Sequence, residues 1–146
     1  MGITWKKEYR IGVQEIDAQH QELFSRLDHF TAAVKQGEGG RQLDDLLTFL
    51  HDYTRRHFAA EEQLQHRFKY PHVEMHAAEH RDFLKRLDRL AESLARGGAT
   101  DSLVRLTGDS LQEWLVHHIC EVDKALAAFV IERRDAEWEQ WLRDHF

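Results

Sequence analysis

The sequence predicts an all-α fold, an antiparallel up-down-up-down four-helix bundle, and two observations support this prediction. Only one proline and eight glycines occur in the 146 residues, so few positions force a helix to break. Between those positions, apolar residues recur at steps of three and four, which places them on one face of an α-helix. Four such helices with short connections pack most simply as antiparallel neighbours.

An N-terminal arm is predicted to precede the first helix. The first 15 residues contain Trp5, Tyr9 and Gly12 without a helical period, so we expect an ordered arm that packs against the bundle. Helix 1 follows, with Asp17 as its expected N-cap. Its inward-facing residues are Ile16, His20, Leu23, Leu27, Phe30 and Val34. After glycines between residues 37 and 40, the inward-facing residues of helix 2 are Leu43, Leu46 or Leu47, Leu50, Tyr53, His57, Glu61, Leu64 and Phe68.

Two further breaks delimit the remaining helices. The first is Lys69-Tyr70-Pro71, and the inward-facing residues of helix 3 after it are Val73, His76, His80, Phe83, Leu87, Leu90 and Leu94. The second break covers residues 97–100, and Thr100 or Asp101 is the expected N-cap of helix 4. The inward-facing residues of helix 4 are Val104, Leu111, Leu115, His118, Val122, Leu126 and Phe129.

The chain is expected to divide into a bundle, residues 1–130, and a C-terminal helical extension, residues 131–146. The extension has apolar residues at helical spacing: Ile131, Trp138, Trp141, Leu142 and Phe146. Because exposed tryptophans would be a costly surface, we expect this face to pack against its own bundle or a second copy of the chain. The alternative is that the extension docks a protein partner. A membrane-surface helix is disfavoured, because the extension carries too little basic charge.

Composition excludes several classes of function. The 26 acidic and 20 basic side chains give a net charge of −6, which argues against a nucleic-acid groove or an anionic membrane surface. No apolar run is long enough to insert into a membrane. The single cysteine, Cys120, cannot form an internal disulfide, and the first six residues do not resemble a secretory signal. We therefore expect a cytoplasmic protein.

Polar residues occupy inward-facing positions on all four helices. A buried carboxylate without a partner costs several kcal/mol, so these residues need one another or a ligand. Two pairs are separated by four residues, His57 with Glu61 and His76 with His80, so both members of a pair can reach one point. The full set is His20, His57, Glu61, His76, His80 and His118.

A metal site explains these residues better than isolated core histidines do. One histidine on an apolar face is usually hydrogen-bonded within the core, but five on facing helices would each need a separate buried partner. The histidines off these faces are expected to be solvated: His29, His51, His66, His72 and His145. His117 points about 100° away from His118 and is left out of the site.

Asp123 is not selected by helical periodicity. It follows His118 by five residues, which turns it about 140° away on an ideal helix. It could join the cluster through a local distortion such as a π-bulge, or through a swing of its side chain.

The donor types favour a histidine-rich site with two metal ions. Five imidazoles and two carboxylates are too many ligands for one tetrahedral zinc. The sequence lacks both the HExxH zinc-protease motif and the Glu-x-x-His of ferritin-like di-iron proteins. Two six-coordinate irons that share two carboxylates and a bridging oxygen would use all seven residues and leave one position vacant for a small ligand.

These segments resemble the hemerythrins, specifically the bacterial hemerythrins, over about residues 3–130. The matching motifs are Ile16-Asp17-Ala18-Gln19-His20, His57-Phe58-x-x-Glu61-Glu62, Tyr70-Pro71, His76-x-x-x-His80 and Trp114-Leu115-x-x-His118-Ile119-x-x-x-Asp123. The resemblance implies an oxo- or hydroxo-bridged di-iron centre. His76, His80 and His118 would hold the saturated iron; His20 and His57 would hold the iron with the vacancy; Glu61 and Asp123 would bridge the two.

The function implied by the resemblance is reversible O2 binding, as an oxygen carrier, store or delivery protein and not an enzyme. The expected apolar O2 pocket is formed by Phe24, Phe58, Trp114, Leu115 and Ile119. The alternatives are a di-iron enzyme or sensor that acts on NO, peroxide or O2, and a structural bundle that binds metal incidentally. The sequence departs from its relatives at Gln65, where methionine is common. We expect that side chain to be exposed; the alternative is that, four residues beyond Glu61, it faces the end of the bundle and alters the polarity around the site.

Overall fold

The computed structural model describes residues 4–146, which form helices joined by short turns, with no strand among them. A short 3₁₀ turn, Lys7–Tyr9, comes before the long helices. The elements after it are α1 (Gln14–Lys35), α2 (Gly39–Phe68), α3 (Val73–Gly97), α4 (Asp101–His117), a π-helical segment (His118–Asp123), α5 (Lys124–Ile131) and α6 (Trp138–His145). Because α4, the π-helical segment and α5 are continuous, they form the fourth long helix of the predicted bundle.

Contacts between neighbouring helices show that they are antiparallel. The hydroxyl of Tyr53 on α2 donates to the carbonyl oxygen of Gln19 on α1 at 3.2 Å. Further along α1, the Arg26 guanidinium lies 4.0 Å from the ring centre of Phe49, earlier on α2. The same reversal relates α2 to α3 and α3 to α4, in the pairs Phe58–Phe83, His51–Asp88, His80–His118 and Arg86–Ser110. The predicted bundle is therefore confirmed.

The ends of the helices agree with the predicted breaks, with one exception. Thr100 caps α4, because its hydroxyl accepts the backbone N–H of Leu103 at 3.1 Å. The prediction that Asp17 caps α1 is wrong, since α1 begins earlier, at Gln14. The Asp17 carboxylate instead accepts the backbone N–H groups of Ile11 at 2.8 Å and Gly12 at 3.3 Å. It therefore holds the arm against the first turn of the helix.

The N-terminal arm packs on the bundle as predicted, apart from residues 1–3, which lie outside the described residues. The rings of Trp5 and Tyr9 lie 5.3 Å and 5.0 Å from that of Phe24, measured between ring centres. Ile11 and Val13 are buried in the common core. Gly12 turns the chain into α1 with a φ of +97°, and a Cβ there would lie 2.9 Å from the Ile131 side chain.

The C-terminal extension packs against its own bundle, which is one of the expected arrangements. Trp138 and Leu142 belong to the buried core, and the Trp138 ring lies 5.5 Å from that of Phe68 on α2. Arg67 Nη2, on α2, donates to both oxygens of the Asp135 carboxylate, at 3.0 and 3.1 Å. Contact with a second copy or a protein partner stays a prediction, as does the division at residue 130. Nowhere between residues 4 and 146 is there a helix long and apolar enough to cross a membrane.

Candidate metal centre

The polar residues from the inward faces meet in one place inside the bundle. Helix α1 supplies one donor, α2 and α3 supply two each, and the π-helical segment supplies two. Each of these residues is almost completely buried, with an exposed fraction of 2% or less. These residues are His20, His57, Glu61, His76, His80, His118 and Asp123.

The π-helical segment explains how Asp123 joins the cluster. An extra residue in this turn brings positions five apart onto one face of the helix. As a result, Asp123 Oδ1 lies 3.1 Å from His118 Nε2. Of the two possibilities that the sequence left open, the backbone distortion is therefore the one observed.

The two oxygens of Asp123 face different histidines. Oδ2 lies 3.0 Å from His20 Nε2, on α1. Oδ1 lies 3.0 Å from His76 Nε2 and faces the side of the cluster formed by α3 and the π-helical segment. A carboxylate in this position can contact two separate ions, one through each oxygen.

Glu61, on α2, also faces histidines of different helices, as Asp123 does. Its Oε1 lies 2.7 Å from His57 Nε2 and 4.0 Å from His80 Nε2. Its Oε2 lies 3.4 Å from His76 Nε2. Glu61 and Asp123 therefore lie between the histidines of α1 and α2 and those of α3 and the π-helical segment.

The donor atoms form two groups that share both carboxylates. The five-donor group consists of Glu61, His76, His80, His118 and Asp123. The four-donor group consists of His20, His57, Glu61 and Asp123. Within each group the donor atoms lie within 4.8 Å of one another, so each group could hold a metal ion.

Unpaired buried atoms show that the cluster fits a cation. Among the described residues, neither oxygen of Glu61 or Asp123 has a partner in hydrogen-bonding geometry, and the same holds for Nε2 of His20, His76, His80 and His118. Buried polar atoms are normally satisfied, so this many in one place calls for a ligand. Imidazole nitrogen together with carboxylate oxygen is a donor set suited to iron and related transition metals.

The charges also prepare the site for a cation. Burial and the charge of Asp123 would raise the pKa of Glu61, yet the neighbouring His57 and His76 lower it to about 2. Burial would likewise raise the pKa of Asp123, but the imidazoles of His118, His20 and His76 hold it well below its ordinary value. Both carboxylates are therefore ionised near neutral pH.

The histidines of α3 differ in protonation. Burial is the main cause that lowers the pKa of His80 to about 3, so its ring is neutral. Burial also opposes a charge on His76, but the carboxylates of Asp123 and Glu61 outweigh it and raise the pKa of His76 to about 10. A metal ion that takes Nε2 of His76 would displace this proton, because only the unprotonated nitrogen binds a metal.

Comparison with known proteins agrees with this geometry. A family model described as the hemerythrin HHE cation-binding domain matches residues 11–130. The chain belongs to the hemerythrin family.

Relatives include a bacteriohemerythrin from Stenotrophomonas maltophilia, 30% identical over 98% of this chain and 88% of that protein. Myohemerythrin-1 from Phascolopsis gouldii is 31% identical over 82% of this chain and 87% of its own length. The solved structures include a hemerythrin mutant with 27% identity and a TM-score of 0.69, which covers 87% of this chain and 95% of that one.

In this hemerythrin, three further side chains face the outer nitrogens of the site histidines, and one of them is hydrogen-bonded. The side-chain oxygen of Gln19 is hydrogen-bonded to Nδ1 of His57. Glu62 Oε1 lies 3.7 Å from Nδ1 of His80, and Glu79 Oε2 lies 4.0 Å from Nδ1 of His118. Helical periodicity did not identify any of the three. Position in the sequence could have revealed them, since each is next to a cluster residue: Gln19 to His20, Glu62 to Glu61, and Glu79 to His80.

Two of the expected pocket residues lie directly on the site histidines. The ring of Phe58 stacks on His80 with 3.8 Å between ring centres, and Trp114 stacks on His118 at 4.4 Å. Leu115 and Ile119, which directly follow Trp114 and His118 in the sequence, are also buried. Phe24 is buried too, and its aromatic contacts are with the N-terminal arm.

The prediction for Gln65 is wrong. Its side chain has an exposed fraction of 0%, because it follows Glu61 by four residues and therefore lies on the same inner face of α2. Neither amide atom has a hydrogen-bond partner among the described residues. The histidines expected outside the site do lie outside it: His51 is half-buried, and His29, His66, His72, His117 and His145 are exposed.

Proposed function

We propose that this hemerythrin binds O2 reversibly at a di-iron centre and works as an oxygen carrier, store or delivery protein. The observation that supports this most directly is the inequality of the two donor groups. One group has five protein donors and the other has four, so a second ion has fewer protein ligands and more room for a small molecule. The names of the relatives, bacteriohemerythrin and myohemerythrin, agree with the proposal.

Each residue has a distinct role in this proposal. His76, His80 and His118 would hold the first iron, and His20 and His57 would hold the second. Glu61 and Asp123 would be shared by the two ions, which is supported by the way their oxygens face both sets of histidines. A bound di-iron group would supply the two electrons that O2 takes up on binding and returns on release.

The surrounding residues would keep water and external protons away from the site. Phe58 and Trp114 cover the rings of His80 and His118, and Leu115 and Ile119 have exposed fractions of 5% and 0%. A dry apolar pocket admits O2 more readily than water or ions, and it slows the proton delivery that would make electron transfer irreversible.

Iron analysis and optical spectroscopy of the purified protein test this function. We expect two irons per chain, and a reduced protein whose absorption changes with O2 and reverts under argon. One iron or one zinc per chain would contradict the di-iron site. Rapid irreversible oxidation, or turnover with NO or peroxide, would favour the enzyme or sensor alternative.

A pair of neighbouring variants tests the assignment of ligands on the fourth helix. His118→Ala should lower iron occupancy, because it removes a donor from the five-donor group. His117→Ala is the matched control, since this neighbouring side chain is exposed and should leave iron content unchanged. Equal losses in both variants would show that the ligand assignment is wrong.

We also propose that the protein works in the cytoplasm. The support is its single cysteine, Cys120, which is free and therefore needs no oxidising compartment. Fractionation of cells against a cytoplasmic marker enzyme tests this location, and recovery with the membrane or exported fraction would contradict it.

A further inference from the structure

We propose that Gln19 is a positioning residue that tunes the iron of the four-donor group through His57. Its neutral amide fixes the orientation of the imidazole and keeps that iron easier to hold in the ferrous state. This inference rests on the di-iron site proposed above, and it concerns the side chain that acts on His57 from outside.

The contact between Gln19 and His57 fixes which nitrogen carries the proton. The side-chain oxygen of Gln19 is the atom that meets His57 Nδ1, and an amide oxygen can only accept a hydrogen bond. Nδ1 must therefore be the protonated nitrogen. That leaves Nε2, which lies 2.7 Å from Glu61 Oε1, as the nitrogen that faces the cluster and would bind a metal. This is the tautomer that a metal ligand requires.

Gln19 is itself held in place on two sides. Its backbone carbonyl accepts a hydrogen bond from the Tyr53 hydroxyl at 3.2 Å. Tyr53 lies one turn before His57 on α2, so its hydroxyl and the imidazole of His57 are both hydrogen-bonded to the same residue of α1. Gln19 is also joined by its peptide bond to His20, the other histidine of the four-donor group. One residue therefore connects both of these histidines.

At the five-donor group, the side chains that face the outer nitrogens of the histidines are negatively charged and not neutral. The outer nitrogens of His80 and His118 face the carboxylates of Glu62 and Glu79, at 3.7 and 4.0 Å. Neither nitrogen has a hydrogen-bond partner among the described residues, so these carboxylates act through their negative charge, which stabilises the ferric state. The neutral amide of Gln19 does this less. An ion held by the four-donor group would therefore be the easier of the two to keep in the ferrous state.

Two substitutions of similar size separate this role from simple packing. Gln19→Glu keeps the shape and adds a negative charge, so it should lower the midpoint potential of the iron of the four-donor group. We expect a shift of about 59 mV, which corresponds to roughly tenfold in a one-electron equilibrium. Gln19→Met keeps the length and removes the acceptor, so it should raise the potential and speed iron loss to a chelator. A packing role would not give shifts of opposite sign.

The measurement is spectroelectrochemistry at pH 8 under argon on the iron-loaded full chain, so it does not depend on O2 binding. Glu62→Gln is the matched control at the five-donor group and should raise the potential of that iron only. If the iron-loaded wild type and both Gln19 variants have the same midpoint potential, this inference is overturned and the proposed function still stands. A wild type that binds two irons but not O2 overturns the function alone, and fewer than two irons overturns both.

Discussion

The two halves of the core are built on the same four helices but differ in chemistry. The buried side chains of the apolar half are mainly leucines, and the hydroxyl of the buried Thr107 donates to the carbonyl oxygen of Leu103. The apolar residues are Leu27, Phe30, Leu43, Leu46, Leu47, Leu50, Leu87, Leu90, Leu103 and Leu111. The polar half contains the seven donor residues and Gln65, all buried to a similar degree. In the apolar half, burial itself is favourable. In the polar half, burial leaves charges and amide atoms without partners, so we expect its stability to depend on a bound cation.

Removal of iron should have the largest effect, and it should be confined to the polar half. A ligand present at about a thousand times its dissociation constant stabilises the folded state by ~4 kcal/mol, and that contribution disappears in a chelator. Hydrogen exchange should therefore become faster in residues 57–61 and 118–123 than in residues 43–50. An equal increase in both regions would mean that the two halves do not differ in this way.

The metal-free protein should be most stable near pH 6.5. The pKa of His80 falls from 6.5 to about 3 on folding, so stability decreases as the pH drops through that range. The pKa of His76 rises from 6.5 to about 10, so its contribution is complete below 6.5 and is lost as the pH rises towards 10. Urea unfolding across this range measures the profile. His76→Gln should reduce the alkaline decrease but not remove it, because burial is outweighed by Glu61, which raises the pKa of His57 as well. A profile that does not change with pH contradicts the prediction.

Leu50→Ala tests the apolar half. Leu50 has an exposed fraction of 2%, and truncation of a buried leucine usually costs about 2–5 kcal/mol. Chemical denaturation should show this loss equally in the iron-loaded and metal-free protein, with iron content unchanged. If the variant lost iron in proportion to its stability, the halves would be coupled and the comparison would fail.

Gln65→Met should have a smaller and opposite effect. It replaces an unpartnered buried amide by an apolar side chain of similar size, and an unsatisfied buried polar group costs roughly 1–3 kcal/mol. The metal-free variant should gain about 1 kcal/mol in urea unfolding. Gln63→Met is the matched control, because Gln63 lies on the exposed face of the same helix and should change stability little. No gain in the first variant would show that Gln65 is already satisfied.

Helical periodicity was enough to predict the four helices and most of the site. It identified the five histidines and Glu61 because these residues lie on inward faces of regular α-helices. Asp123 lies beyond the start of the π-helical segment, where the period changes, so the family resemblance was needed to assign it. Gln65 lies on the inner face of α2, four residues after Glu61. Its burial was not predicted because a polar amide is usually exposed.

Contacts between side chains on different helices were harder to predict. The bond from Gln19 to His57 joins α1 to α2, and the pair Arg67–Asp135 joins α2 to the segment before α6. The role of Asp17 also depends on donors in the arm, which lie outside the helix that contains it. Periodicity describes one helix at a time and holds no information about such pairs.

The position of Asp123 has a consequence for synthesis of the chain. Five of the seven donors precede α4 and emerge early from the ribosome, and contacts between adjacent helices form quickly because they are local. Both donor groups nevertheless include Asp123, and its partner His20 lies on the first long helix. Neither metal site can be completed until the fourth long helix has emerged and folded back against α1. If the proposed site binds iron, bound iron would therefore report chains in which translation and folding of the whole bundle are finished.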